Sequence, residues 1–217
     1  MNCSMDRSNM TGVVFSFSFF LLLSVFIFWH FIKIMIYESV KITGCSGVYY
    51  PAEDSYMLAR IVERKAFGRV LDVGTGTGIQ GIVAAKAGCE TCFSDISENA
   101  LQCAEMNARL NGVHGRFFRS DLFSSVEGRF NTIIFNPPYL ESGKEIRHTD
   151  LDGGVLGREI IDRFLRSVKE FLLPDNIVLV VENSDNKYMQ DVESFHATIE
   201  ARAHYFFEDL VVLSMAF

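Results

Sequence analysis

The 217-residue chain has no surplus of positive charge: 20 Lys and Arg stand against 27 Asp and Glu, giving a net charge of −7. A long grip on a phosphate backbone needs clustered Lys and Arg, so an extended nucleic-acid footprint is disfavoured, while a small local basic site is not excluded. Cysteine is scarce, at positions 3, 45, 89, 92 and 103. An odd count without regular spacing predicts no disulfide framework and fits a reducing compartment. Cys89 and Cys92 form a lone CxxC with no second pair, and Cys92 falls in an apolar run, so both are read as buried thiols rather than a zinc or redox site. His30, His114, His148, His196 and His204 lack metal-ligand spacing, and no metal is expected. No Ser or Cys nucleophile motif is present. An apolar share of 49% with 22% charged residues excludes general disorder.

One long stretch lacks charge altogether. Val13 to Ile32 holds no Asp, Glu, Lys or Arg and is long enough to span a bilayer as a helix. Arg7 before it and Lys33 after it scarcely orient it, and no small-residue cleavage site follows. Two readings fit: a membrane anchor, or an upstream stretch translated from a mis-set start ahead of Met35. Seven phenylalanines between residues 15 and 31 favour the mis-set start.

From about Lys41 the pattern alternates strand and helix. Asp54 to Ala66 reads as an amphipathic helix opened by acidic capping residues. Strands are expected over Arg69 to Val73, Thr91 to Asp95, Arg116 to Arg119, Phe130 to Phe135 and Ile177 to Val181. Helices are expected over Ile79 to Ala87, from the Ser97 N-cap to Leu110, and over Gly157 to Leu172 with Pro174 as its stop. Ala203 to Phe207 and Leu210 to Met215 read as a closing hairpin. Alternation of this kind predicts a largely parallel sheet covered on both faces.

Asp72-Val73-Gly74-Thr75-Gly76-Thr77-Gly78 follows the first of these strands and opens a helix, and Asp95 ends the second. Glycines there let a ligand approach the backbone, and Asp95 is placed for ribose hydroxyls. Gly76, Gly78 and Gly81 also satisfy GxGxxG, so a nicotinamide or flavin cofactor and S-adenosylmethionine (AdoMet) fit this loop equally. Purely structural helix–strand packing is the third possibility.

Asn136-Pro137-Pro138-Tyr139 narrows the chemistry. It follows the fourth strand at its carboxyl end, where open α/β sheets place ligands. A planar amide or aromatic amine is a poor nucleophile because its lone pair is delocalised. The Asn136 side-chain carbonyl and the Pro137 backbone carbonyl can accept its two N–H groups and turn the lone pair toward a methyl donor. Tandem prolines fix both acceptors beforehand, and Tyr139 can lie against the flat face of the target. A nicotinamide enzyme has no use for this arrangement, which selects AdoMet.

Together with Tyr50-Pro51-Ala52-Glu53-Asp54-Ser55 and Ser120-Asp121-Leu122, these motifs resemble the HemK-related protein glutamine methyltransferases. The likeness is strongest to the archaeal and eukaryotic branch acting on class I release factors, and it runs from about residue 46 to the end. Gly157-Arg158-Glu159 fits the same branch. The resemblance implies an α/β, Rossmann-like class I methyltransferase over residues 41–217. Its mostly parallel seven-stranded sheet would end in an antiparallel hairpin, with residues 1–40 set apart as the apolar tract. It implies AdoMet contacts by Ser55, Asp72, Gly74, Gly76, Asp95, Asp121, Leu122 and Asn136, with Asp121 reading the adenine amino group. Asn136, Pro137 and Tyr139 would hold the substrate amide. The implied target is the glutamine of a Gly-Gly-Gln tripeptide in a release factor; adenine N6 and protein lysine are the alternatives. A small zinc-binding activator protein is the implied heterodimer partner. Adjacent Phe117 and Phe118, leaving opposite faces of an edge strand, offer it a docking place, unless one is buried and the other lies under a loop. Gly153-Gly154-Val155 departs from the branch, which usually carries an arginine after the paired glycines. The expected location is the cytoplasm, or a membrane if the apolar tract is genuine. Glu53 and Asp54 are expected to cap their helix or to join the cofactor lid, with capping preferred for Asp54.

Overall fold

A computed structural model describes residues 34–138, 158–205 and 208–217. The apolar tract, Tyr139 and Gly153 to Gly157 lie outside the described residues. Met35–Phe217 forms one compact unit. Among the described residues, no helix is long and apolar enough to cross a membrane.

Among the described residues, nine strands and five α-helices follow in chain order. β1 (Ile34–Tyr37) and β2 (Val40–Thr43) form a two-stranded sheet. Then come α1 (Glu53–Lys65), β3 (Arg69–Val73), α2 (Ile79–Lys86), β4 (Glu90–Asp95), α3 (Glu98–Leu110), β5 (Arg116–Arg119) and β6 (Phe130–Phe135). The chain closes with α4 (Glu159–Ser167), β7 (Leu172–Asn183), α5 (Tyr188–Phe195), β8 (Thr198–Tyr205) and β9 (Glu208–Met215). The main sheet has the order β5-β4-β3-β6-β7-β9-β8. β5 to β7 pair in parallel, and β9 and β8 return antiparallel. This is the expected seven-stranded architecture.

The sheet residues alternate between two buried layers because strand side chains leave opposite faces. Val70, Ile134, Leu179 and Val212 face α1 and α2, joined by Val40 and Ile42 of β2. Leu71, Ile133, Val178 and Val211 face Ile161 and Phe164 of α4 and Tyr188 of α5. Burial on both faces explains why the stretches 133–135 of β6 and 177–181 of β7 are continuously apolar rather than alternating.

Three details depart from expectation. The helix predicted over Gly157 to Leu172 is α-helical only over Glu159–Ser167, and a 3-10 turn completes it over Val168–Phe171. Pro174 is not a stop beyond a helix but lies inside β7. There the pairing with β6 jumps from Phe130↔Leu172 to Thr132↔Ile177, and an irregular stretch needs no N–H donor from proline. The third departure is covalent: Cys45 and Cys103 form a disulfide, 58 residues apart in sequence. Their separation carries no local pattern, so spacing rules for compact frameworks miss it. Cys89 and Cys92 are free thiols; Cys92 is buried as expected, whereas Cys89 is only half-buried.

Gly81, in the first turn of α2, lies against β4. A Cβ added there would come within 2.2 Å of the Phe93 ring. Phe93 is fully buried and stacks on Phe117, 4.4 Å between ring centroids, so it has little room to yield. Gly81→Ala is expected to destabilise the fold by about 1–3 kcal/mol through overpacking, read from denaturant melts; an unchanged midpoint would contradict this packing.

Candidate functional site

The strand order reverses at β3: the chain first builds outward through β4 to β5, then returns to place β6 on the other side. Such a switch point opens a crevice at the carboxyl ends of the strands. A cavity of about 440 Å³ sits there, within the range of small-molecule sites. Its wall includes Gly47 to Tyr49, Asp54 and Ser55, the Asp72 to Thr77 loop, Asp95, Asp121, Leu122 and Asn136 to Pro138. All the described residues expected from the sequence are thereby gathered at one cleft. Tyr139 lies outside the described residues.

Asn136 is fixed by a partner the sequence did not suggest. Its side-chain nitrogen donates to Asp54 Oδ2 at 2.8 Å, with Ser55 Oγ at 3.4 Å. A carboxylate only accepts, so the NH2 end of Asn136 must face Asp54 and the carbonyl end must face away. That carbonyl oxygen is buried and has no hydrogen-bond partner among the described residues. A buried acceptor left unmet carries a penalty of about 1–3 kcal/mol, which a bound N–H donor would remove.

Asp54 therefore does not cap α1. The N-cap position is Ala52, with no side-chain cap, and Asp54 is turned inward at 2% exposure. It also accepts from Tyr49 Oη at 3.1 Å and from Ser55 Oγ at 3.2 Å.

The glycine loop is organised around Asp72. Thr75 Oγ1 donates to Asp72 Oδ2 at 2.6 Å, and the Gly81 N–H donates to the same oxygen at 3.0 Å. The Gly81 amide belongs to the first turn of α2, the place where a dinucleotide fold would cradle pyrophosphate. An internal carboxyl group already fills that role, so a phosphate would meet charge repulsion there. Gly76, at φ 53°, donates its N–H to Asp95 Oδ2 at 3.0 Å, and the Ser97 N–H donates to Oδ1 at 2.9 Å. These two amides fix the Asp95 carboxylate in the cleft wall.

Asp121 is half-exposed and pairs with Arg163 of α4 at 2.8 Å. Leu122 adopts φ 49°, a left-handed conformation that is uncommon for a side-chain-bearing residue. Ser120 Oγ holds that turn, donating to the Leu122 carbonyl at 2.7 Å and accepting the Ser125 N–H at 3.0 Å. Arg158, from the Gly-Arg-Glu triplet, anchors the start of α4. It makes a bidentate pair with Asp191, binds Asp162 at 2.8 Å and lies 3.5 Å from buried Glu182. Burial and the Asp191 charge push the Glu182 carboxyl well above its ordinary range, against the pull of Arg158. These contacts hold the turn of α4 that brings Ile160 and Arg163 to the cleft.

The donor set fits AdoMet. Among the described residues, four carboxyl groups line the cleft against one arginine, and Gln80 adds a second buried acceptor without a partner, its Oε1. A sulfonium and an ammonium suit such a wall, whereas a pyrophosphate does not. Among the described residues, no group of three or more His, Cys, Asp or Glu is arranged to hold a metal.

A parallel sheet reversed at β3, closed by an antiparallel hairpin and carrying this cleft, defines a class I AdoMet-dependent methyltransferase. Residues 47–205 match the methyltransferase small domain model. A Methanocaldococcus jannaschii protein, provisionally named a protein N5-glutamine methyltransferase, is 35% identical over 188 residues, covering 82% of this chain and 95% of that one. The chain belongs to the methyltransferase small domain family and, within it, to the HemK-related enzymes. The release factor glutamine methyltransferase of Agrobacterium fabrum is 35% identical over 155 residues, and the match spans 65% of this chain but only 53% of that protein. In fold alone, the chain resembles a T. thermophilus 16S rRNA N2 methyltransferase solved with AdoMet and guanosine. That likeness has a TM-score of 0.68 at 18% identity and covers 85% of this chain and 49% of the other.

Complete burial lifts Asp72 from 3.8 to about 7, outweighing the hydrogen bonds from Thr75 and Gly81 that pull it down. Between those values the folded protein keeps a proton that the unfolded chain has released, so stability falls as pH rises through that window. The expected loss is roughly 1.4 kcal/mol per unit of separation. Asp72→Asn keeps the two accepted hydrogen bonds without the charge. Thermal melts at pH 5 and pH 8 should show a smaller drop in the variant than in the wild type; equal drops would contradict the assignment.

Proposed function

We propose that this enzyme transfers the methyl group of AdoMet to the side-chain amide nitrogen of a protein glutamine, and that this glutamine belongs to the Gly-Gly-Gln tripeptide of a class I release factor. The observation that carries the reading is the Asn136 carbonyl oxygen, buried, unpartnered and turned away from Asp54. Bound AdoMet supplies an electrophilic methyl on a sulfonium.

The chain's own residues prepare the nucleophile. Asn136 Oδ1 and the Pro137 carbonyl accept the two N–H groups of the substrate amide, drawing its lone pair out of conjugation. Asp54 keeps the Asn136 amide from rotating, so the acceptor is oriented before substrate arrives. Asp95 takes the ribose hydroxyls, Asp121 and Leu122 hold the adenine, and Asp72 with Gly74, Gly76, Ser55 and Gln80 face the amino-acid end. After transfer the amide nitrogen is cationic and sheds its proton to water or to a carbonyl acceptor, so no dedicated base is needed. Tyr139 follows Pro138 and is assigned to the flat face of the amide.

The names of the two relatives support glutamine as target. The net charge of −7 weighs against a nucleic-acid amine, because a base-flipping enzyme must also hold the flanking strand. A release factor as substrate goes with a cytoplasmic location. We further assign the β5 edge to a small zinc-binding activator. Phe117 and Phe118 are both half-buried on that edge strand, and nearby α3 exposes Met106 and Leu110.

The test is transfer from labelled AdoMet to recombinant release factor, to the same factor with its Gly-Gly-Gln glutamine changed to glutamate, and to DNA and RNA, each with and without the activator. Label is expected only in the unaltered release factor. Asn136→Ala is expected to lower kcat roughly 100-fold, the scale of losing one preorganised polar contact. Label in nucleic acid alone, or undiminished turnover by the variant, would overturn the proposal.

A further inference from the structure

The Cys45–Cys103 bond joins two elements that face each other across the rim of the cofactor cleft. Cys45 opens a turn closed by the Val48 N–H donating to the Cys45 carbonyl at 3.2 Å, with Gly47 at φ 72°. The residues of that turn and its exit, Gly47, Val48 and Tyr49, are cleft wall. Val48 reaches the glycine loop, where a Cβ on Gly76 would lie 4.0 Å from its methyl group. Cys103 sits on α3, whose start supplies Ser97 and Ala100 to the same wall. The disulfide thus ties the turn that leads into the wall segment to the helix whose start supplies another part of the wall.

Besides the Val48 contact, non-covalent hydrogen bonds hold this segment toward its two ends. Upstream, α3 holds β2 with side-chain amides that imitate a neighbouring strand. Asn107 accepts the Thr43 N–H at 2.9 Å and donates to the Thr43 carbonyl at 3.0 Å, and Asn111 does the same for Lys41 at 2.8 and 2.7 Å. Downstream, Tyr49 is held by Asp54. Between Thr43 and Tyr49, the disulfide is the one covalent tether from the described wall segment to the body of the domain. Its two residues differ in exposure: Cys103 is 2% exposed, whereas Cys45 is half-buried.

We propose that Cys45–Cys103 is a thiol–disulfide modification site through which the redox state of the surroundings sets how tightly the cleft holds AdoMet. A small thiolate such as glutathione attacks Cys45 Sγ and releases Cys103 as a thiolate, giving a mixed disulfide. A second glutathione then attacks the glutathione sulfur, so that Cys45 and Cys103 end as thiols and oxidised glutathione departs with the two electrons balanced. Reformation runs the same exchange backward, with oxidised glutathione as the acceptor. With the tether open, residues 44–48 are held by non-covalent contacts alone, and binding AdoMet must then order the turn more fully. This inference concerns the cofactor cleft and does not depend on which substrate receives the methyl group.

The full-length protein is to be poised with oxidised glutathione or with excess reduced thiol, and its state confirmed by the 2 Da mass difference and by thiol alkylation. AdoMet affinity is then measured by calorimetry, and amide hydrogen exchange over residues 44–50 is followed without cofactor. Reduction is expected to weaken AdoMet binding by roughly five- to tenfold, the scale of immobilising one or two further side chains. It should also speed exchange at the turn. Cys45→Ser is expected to match the reduced wild type and to ignore thiol, while Cys89→Ser keeps the full response. Equal affinity and equal exchange in the two states would overturn the proposal. Recovery of both Cys45 and Cys103 as alkylatable thiols after the oxidant would overturn it as well.

Discussion

A hydrogen bond of 2.8 Å between Asp54 and the side-chain nitrogen of Asn136 governs the rest of the site. Because a carboxylate cannot donate, the bond dictates which end of the Asn136 amide faces the cleft. The carbonyl oxygen is left buried and unmet, an arrangement that folding alone would not favour. The bond also sets where larger pieces must lie. Asp54 is in the first turn of α1 and Asn136 follows β6, so the helix start must dock at the end of the central strand. Tyr49 shares the same carboxylate, which draws the segment before α1 onto the rim.

The same economy of contacts separates AdoMet from a dinucleotide. The Gly-rich loop after β3 is compatible with either when read as a pattern. In three dimensions Asp72 accepts the Gly81 N–H at the start of α2 and thereby occupies the anion site that a pyrophosphate would require. The carboxyl groups around the cleft then favour a ligand carrying sulfonium and ammonium charge. Glycine has a second purpose at position 81, where Phe93 leaves no space for a methyl group. Of the readings open for this loop, helix–strand packing is realised at Gly81.

Much of this was legible in the residues. The alternation of strand and helix signals announces a largely parallel sheet covered on both faces, and Asn136-Pro137-Pro138 stands where a switch-point ligand belongs. What escaped was long-range. Asp54 looked like a helix cap because an acidic residue at a helix start ordinarily is one; its partner lies 82 residues on, and no local period links them. Cys45 and Cys103 escaped for the same reason, as did Asn107 and Asn111, whose side chains pair with β2 as a strand would. Pro174 misled because proline ends helices more often than it rides in a strand irregularity. The serine-held turn that gives Leu122 its positive φ has no signature beyond Ser120-Asp121-Leu122 itself.

The claim that Asp54 acts by orienting Asn136 is tested most directly by a double-mutant cycle on kcat, with AdoMet affinity followed alongside. If Asp54 works through the Asn136 amide, Asp54→Ala is expected to lower kcat, and the Asp54→Ala/Asn136→Ala double variant to be no slower than Asn136→Ala alone. Strictly multiplicative losses, or an Asp54→Ala enzyme with unaltered kcat, would contradict it.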